Sequence, residues 1–279
     1  MDLNTVLNQT SLTHWAGTLS KAFEIDPPKQ ADAPLNWLVR SLRRDIRDSE
    51  GTLGRGRFDR VLVYNPDAQA QWLLQRYTDF YTPVLERLPH FVPFRTVFPS
   101  FTPVCFGSMY TGVLPAVHGI QSYSKPIIKT DCMFDALLRA GKKTCLAAVE
   151  GCSMSKIFID RPIDYVFQPK DAEVVDSAIE LIKADRYDWL SVYNQEYDDM
   201  MHANGPEHEL AIVAIHHHVE SLVRLYDAVE TYWKDHNTLI VWGPDHGVHL
   251  MKEGKGWHGT DLACDLNIFH YFGAIPAHK

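Results

Sequence analysis

Five short segments of this sequence combine carboxylates, imidazoles and a hydroxyl at spacings that suit metal-assisted displacement. In QEYDDMMHANGP, Asp198 and His202 are four apart, so one helical turn brings carboxylate and imidazole to the same face, where they can share an ion. Asp199, three residues before His202, competes for that place. In GPDHGVH, Asp245 and His246 are adjacent and Gly247 follows them, which permits close backbone approach. His249 and His258 are further candidate ligands, the latter inside the glycine-bearing GKGWHGTD. Asp67 follows the apolar run RVLVYN. Thr102 precedes Pro103 and a run of small apolar residues, so Thr102 is expected at a helix N-cap with proline at the first helical position. A hydroxyl there sits where backbone N–H groups and the helix dipole favour an anion. Taken singly, these segments read as a surface pair, an Asx turn and a cap. Taken together, three carboxylates and three or more imidazoles form oxygen- and nitrogen-rich sites suited to zinc, with manganese as the alternative. A hydroxyl between two such ions can be deprotonated and aimed for in-line displacement.

The elements that would position these groups are legible as alternating strands and helices. RVLVYN, KKTCLAAVE, DYVFQ, DWLSVYN and TLIVWG are apolar runs of strand length. PDAQAQWLLQRYTDFYTPVLERL, CMFDALLRA, AEVVDSAIELIKA and ELAIVAIHHHVESLVRLYDAVETYWK carry helical periodicity between or beside them. The alternation predicts an α/β sandwich with a largely parallel sheet. Ligands bind beyond the carboxyl ends of strands in such sheets, and Asp67, the Asp198 segment and the Asp245 segment all begin there. Residues 1–55 read as an N-terminal helical arm, with LNWLVRSLRRDI ahead of the breaker GTLGRGR, and residues 56–279 as the core on which the arm packs. His216, His217 and His218 point about 100° apart on a helix, so they are expected to be solvated or partly packed rather than to share an ion. His270 and His278 are read the same way.

Composition narrows the class. The chain has 279 residues, 46% hydrophobic and 22% charged, which excludes a disordered, collagen-like or disulfide-scaffold protein. A net charge of −8 offers no basic excess to neutralise a nucleic-acid polymer. No run approaches a membrane span, the opening residues show no signal-peptide pattern, and a cytoplasmic setting is the expectation. The five cysteines include no CxxC pair, so reduced, packed thiols are expected. Arg40, Arg43, Arg44 and Arg47 make the arm a candidate contact for a homo-oligomer.

In order along the chain, the segment from Thr102 through TGVLPAVHGI, the DxxxHxxGP pattern from Asp198 to Pro206, the DHG at Asp245 to Gly247 and the HG at His258 resemble the alkaline phosphatase superfamily. The likeness runs over residues 59–275 and is nearest to the nucleotide pyrophosphatase/phosphodiesterase branch. This resemblance implies an alkaline phosphatase-like three-layer sandwich and two divalent metal ions. It implies that Asp67, Asp245 and His246 hold one ion within reach of Thr102, and that Asp198, His202 and His258 hold the other. It further implies that Thr102 attacks phosphorus in a small phosphorylated substrate, a phosphodiester or nucleotide pyrophosphate, and that water hydrolyses the phospho-enzyme. Related proteins include phosphomonoesterases, phosphonate hydrolases and phosphomutases, and a non-catalytic metal-binding protein on the same fold is the reading of a different class.

The sequence departs from the family pattern at several points. The first aspartate is commonly followed by glycine in the family, and here by Ala68. The glycine that usually precedes the ligand histidine is Met201. Where the diesterases often place an asparagine on the phosphoryl oxygen, HGIQSYSKP offers Gln121, Ser122 or Tyr123, with Gln121 and Tyr123 the candidate substrate-binding residues. Only the short segment 247–257 separates His246 from His258, so a minimal, open core without an inserted cap is expected. Sulfatases are disfavoured, since Cys105 follows rather than precedes its proline and lacks the matching arginine.

Overall fold

Arg60–Pro66, RVLVYNP, is buried along all but its first residue, as a strand covered on both faces must be. Successive side chains leave it on opposite faces: the Tyr64 hydroxyl meets His218 on one side, while Asn65 accepts from the Tyr110 hydroxyl on the other. The computed structural model describes residues 6–48, 51–54 and 56–278. Parts of the expected arm, residues 1–5, 49, 50 and 55, therefore lie outside the described residues.

The strands are β1 (Thr10–Ser11), β2 (Arg60–Pro66), β3 (His90–Arg95), β4 (Thr144–Val149), β5 (Asp164–Gln168), β6 (Trp189–Asn194), β7 (Thr238–Trp242), β8 (His249–Leu250), β9 (Gly256–Trp257) and β10 (Asn267–Ile275). The helices are α1 (His14–Ala22), α2 (Asn36–Asp45), α3 (Gln71–Arg76), α4 (Thr78–Arg87), α5 (Thr102–Thr111), α6 (Pro115–His118), α7 (Met133–Arg139), α8 (Ser153–Ile157), α9 (Asp171–Lys183), α10 (Glu196–Asn204), α11 (Glu209–Tyr232) and α12 (Ala263–Leu266).

Eight strands form one sheet in the order β1-β3-β10-β7-β2-β6-β4-β5. All neighbours pair in parallel except β10, which runs antiparallel to both β3 and β7. Helices α4, α9 and α11 pack together on one face, and α1, α5, α7 and α8 on the other, so the expected three-layer α/β sandwich is present. All five expected strands form. Of the other strands, β1, β8 and β9 are two-residue pieces, β3 contains Pro93, which normally argues against a strand interior, and β10 is the run NIFHYFGAI. The long helix expected after β2 is interrupted at Tyr77, giving α3 and α4.

The N-terminal segment is woven into this core. Trp15 and Leu19 of α1 and Leu38 and Leu42 of α2 are fully buried. The Trp15 ring lies 5.1 Å from that of Tyr110 and 6.3 Å from that of Trp189. The histidine run on α11 splits three ways, as 100° steps require: His216 lies against Phe80 at 4.3 Å, His217 pairs with Glu196 at 2.9 Å, and His218 is buried. His270 is also fully buried, correcting the solvated or partly packed reading, because β10 lies inside the sheet and the His270 ring donates to the Pro244 carbonyl at 2.7 Å. Among the described residues no helix is long and apolar enough to cross a membrane.

Candidate metal and active site

The carboxyl ends of β2, β6 and β7 deliver the expected residues to one place. Asp67 directly follows β2, Asp198 and His202 sit one turn apart on α10 after β6, and Asp245 and His246 follow β7. The three members of the first set meet closely: His246 Nε2 lies 3.3 Å from Asp67 Oδ1 and 3.4 Å from Asp245 Oδ2. In the second, His202 Nε2 lies 3.4 Å from Asp198 Oδ1 and 3.1 Å from His258 Nε2, and His258 Nε2 lies 3.6 Å from Asp198 Oδ1. The two sets adjoin, for the His246 and His258 rings stack at 3.9 Å. Asp199 and His249 fall outside both sets: Asp199 accepts from the Gln195 side chain at 3.1 Å, and His249 is bound to Asp265 at 2.8 Å.

Thr102 lies one residue further into its helix than the spacing predicts. Phe101 is the N-cap, Thr102 is the first helical residue and Pro103 the second; no side chain caps the helix. The Phe101 carbonyl already accepts from the amides of Val104 and Cys105, so the helix starts there. The consequence is that the Thr102 hydroxyl is not spent on capping, and its Oγ1 lies 3.1 Å from His246 Nε2.

Each imidazole of the cluster is fixed by its other nitrogen. His202 Nδ1 donates to the Gly256 carbonyl at 3.1 Å, His246 Nδ1 to the Gly247 carbonyl at 3.0 Å, and His258 Nδ1 to the Ser100 carbonyl at 2.8 Å. A proton held at Nδ1 leaves the Nε2 lone pair free, and all three Nε2 atoms face the cluster. This is the outer-shell arrangement of metal-binding histidines. On the carboxylate side, Asp67 Oδ1, Asp198 Oδ1 and Asp245 Oδ2 are buried with no hydrogen-bond partner, an arrangement that is costly unless a cation answers it. The residues present therefore fit two divalent ions.

The electrostatics carry the same message. Burial, reinforced by Asp245 and Asp198, pushes Asp67 well above the usual carboxylate range, and burial raises Asp245 to about 7. Burial also acts upward on Asp198, but the imidazoles of His202, His258 and His246 outweigh it and hold Asp198 low. Burial lowers His246 and takes His258 down to about 4, while for His202 the Asp198 carboxylate outweighs burial and the imidazole is raised.

Several supporting residues have no signal in the motifs. Tyr193, on the α5-facing side of β6, donates its hydroxyl to Asp67 Oδ2, which turns Oδ1 toward His246. Ser100 binds the His258 loop twice more, its hydroxyl donating to the Thr260 carbonyl and accepting from the Gly259 amide, both at 3.1 Å. His118, within the quoted TGVLPAVHGI, accepts from the Ile120 amide and holds Ser108 of α5 at 2.9 Å.

The family departures have physical counterparts. Ala68 adopts a left-handed φ of 63°, a conformation in which glycine is unstrained, and the turn presents the Ala68 amide to Asp245 Oδ1 at 3.3 Å. Met201 is fully buried, and a Cβ at Gly256 would lie 2.4 Å from its sulfur, so Gly256 makes room for the larger residue. Of the candidate substrate-binding residues, Gln121 is exposed, and Tyr123 is 61% exposed with its ring 5.8 Å from that of Phe101. The segment between His246 and His258 is the short β8–β9 hairpin. Cys105 is fully buried, with burial pushing its thiol up.

No family model and no curated protein matches the sequence. Solved structures do match in three dimensions. Murine ectonucleotide pyrophosphatase/phosphodiesterase 5, an inactive threonine-to-alanine variant in complex with AMP, superposes with a TM-score of 0.56 at 19% identity. The match covers 70% of this chain and 59% of that one. The chain has the alkaline phosphatase-like fold. The human ectonucleotide pyrophosphatase/phosphodiesterase 5 gives a TM-score of 0.55 at 19% identity, over 70% of this chain and 58% of that chain. A 2-O GAG sulfatase shares the alkaline phosphatase-like fold at a TM-score of 0.55 and 12% identity, over 77% and 64% of the two chains. This chain thus spans less than two thirds of the length of these neighbours.

Proposed function

We propose that the protein is a metal-dependent hydrolase of small phosphoric esters, of the phosphodiesterase or nucleotide pyrophosphatase type, with Thr102 as nucleophile. The observation that carries the reading is the Thr102 hydroxyl, free of capping and 3.1 Å from His246 Nε2, beside unpartnered oxygens of Asp67, Asp198 and Asp245. A purely structural ion pair has no use for a hydroxyl in that place. Asp67, Asp245 and His246 would hold one ion and Asp198, His202 and His258 the other; the donor set suits zinc, with manganese as the alternative. Bound there, the ions would lower the pKa of the hydroxyl and offset charge on the phosphoryl and departing oxygens. Thr102 Oγ1, its proton lost to solvent, then attacks phosphorus in line, the ester oxygen departs with the P–O bonding pair as the new Thr–O–P bond forms, and water later cleaves that bond, releasing the phosphoryl product and restoring the Thr102 hydroxyl. Tyr193 keeps Asp67 oriented throughout, and Ser100 keeps His258 oriented. Cys105 follows rather than precedes its proline, which favours phosphoric over sulfuric esters.

The decisive variant is Thr102→Ala. Hydrolysis of bis(p-nitrophenyl) phosphate and p-nitrophenyl phosphate by zinc- and manganese-loaded protein is expected to fall by at least ~10³-fold, with circular dichroism and metal content unchanged. Turnover equal to that of the unaltered protein would refute the assignment, and the ratio between the two esters reports the preferred class.

A further inference from the structure

We propose that the indole of Trp257 is the leaving-group subsite of this centre, selecting esters whose departing group carries a planar apolar ring. The inference rests on Thr102 being the nucleophile. In-line displacement places the departing oxygen opposite the attacking one. Thr102 lies with His246, so the opposite side belongs to Asp198, His202 and His258. Two rings border that set: Phe101 meets His258 edge-on at 5.7 Å, whereas Trp257 lies 5.1 Å from His202 and 6.1 Å from His258 and is within 23° of parallel to the latter, so of the two only Trp257 touches both imidazoles.

Trp257 is 47% exposed, so a large aromatic face is held at the mouth of the site instead of in the core. It is also rigidly held. Met251 and Lys255 close the hairpin at 2.8 Å, His249 stands opposite Trp257 in the ladder, and the preceding Gly256 carbonyl is taken by His202. A preorganised, half-exposed ring beside convergent polar groups is what a binding site for an aromatic group requires. Tyr123, another exposed ring, lies across Phe101, next to Thr102, and serves as the control position.

Two thymidine compounds separate the roles, because they share the transferred group and differ only in what departs. With thymidine 5′-monophosphate p-nitrophenyl ester the leaving group is an aryl oxide, and with thymidine 5′-triphosphate it is pyrophosphate. On zinc-loaded protein, Trp257→Ala is expected to lose about tenfold in kcat/KM on the aryl ester and to stay within about twofold on the triphosphate, with Trp257→Phe retaining most of the aryl activity. Equal losses on both compounds would overturn the proposal, leaving Trp257 as a support for His202 and His258. A second readout needs no turnover: calorimetric binding of phenylphosphonate and methylphosphonate to the same zinc-loaded proteins. A preference for the phenyl compound that disappears in Trp257→Ala and persists in Tyr123→Ala supports the subsite. No preference in the unaltered protein, or one that survives in Trp257→Ala, overturns it. If neither thymidine compound is hydrolysed, the Thr102→Ala comparison on the two p-nitrophenyl esters decides the nucleophile by itself, and the binding arm decides about Trp257.

Discussion

The turn after β2 shows how one residue's backbone serves the cluster. Ala68 holds φ at 63°, and the resulting turn leaves Asp67 on Tyr193 and aims the Ala68 amide at Asp245. A non-glycine residue in that region stores strain on the order of 1 kcal/mol. Ala68→Gly is therefore expected to raise stability by up to about 1 kcal/mol, set against the added freedom of the unfolded chain, with metal content unchanged. Urea unfolding and elemental analysis check both halves; a loss of stability would show that the turn is not strained. Asp198, His202, Asp245, His246, His258 and Thr102 were legible in the sequence because side-chain type and spacing carry their chemistry. The carbonyls of Ser100, Gly247 and Gly256, which fix the three imidazoles, were not, since a backbone acceptor leaves no mark on residue identity. Tyr193 was hidden for a related reason: its partner Asp67 is 126 positions away.

Among elements, the β8–β9 hairpin and α10 act as a unit. The hairpin supplies the Gly256 carbonyl to His202 and packs its glycine against Met201. A Cβ at Gly256 would also lie 2.8 Å from the Met201 carbonyl oxygen, a backbone atom that cannot rotate away. Gly256→Val is thus expected to separate hairpin from helix, costing about 1–3 kcal/mol as other overpacked cores do and weakening metal binding through His202. A melting curve of the metal-free variant measures the first effect and a zinc titration the second; unchanged values in both would show that the contact yields freely. Met201, taken from the sequence alone, was only a departure from pattern. Its compensation by Gly256 became visible once the hairpin had folded back on α10, a pairing of residues far apart in the chain.

For the molecule as a whole, His218 ties the layers together. The Tyr197 amide at the start of α10 donates to His218 Nε2, so Nδ1 carries the proton and donates to Tyr64 of the sheet. Burial lowers this imidazole from 6.5 to about 3. Below pH 6.5 the unfolded chain binds a proton that the folded chain refuses, so stability falls with pH by about 1.4 kcal/mol per unit from this group. His218→Gln lacks that term, and the other titrating groups, including Asp171, raised by burial to about 6, cancel in the comparison. The stability gap between the two proteins is expected to narrow by about 1.4 kcal/mol per unit between pH 6.5 and pH 4, read from urea midpoints of metal-free protein; a constant gap would mean that His218 titrates normally. The alternation of strands and helices made the sandwich legible at this scale. The order of the strands was not, because periodicity describes each segment alone and β10 is placed by contacts with β3 and β7.

That placement of β10 bears on how the protein is made. Residues 267–275 fill the gap between β3 and β7, so until this segment is translated and paired the sheet is two fragments, β1 with β3 and β7-β2-β6-β4-β5, each with an open edge toward the missing strand. Such edges are templates for association with other chains, and non-local pairing of this kind is slow to form. Closure of the sheet therefore waits for β10, whatever the order in which its other strands pair.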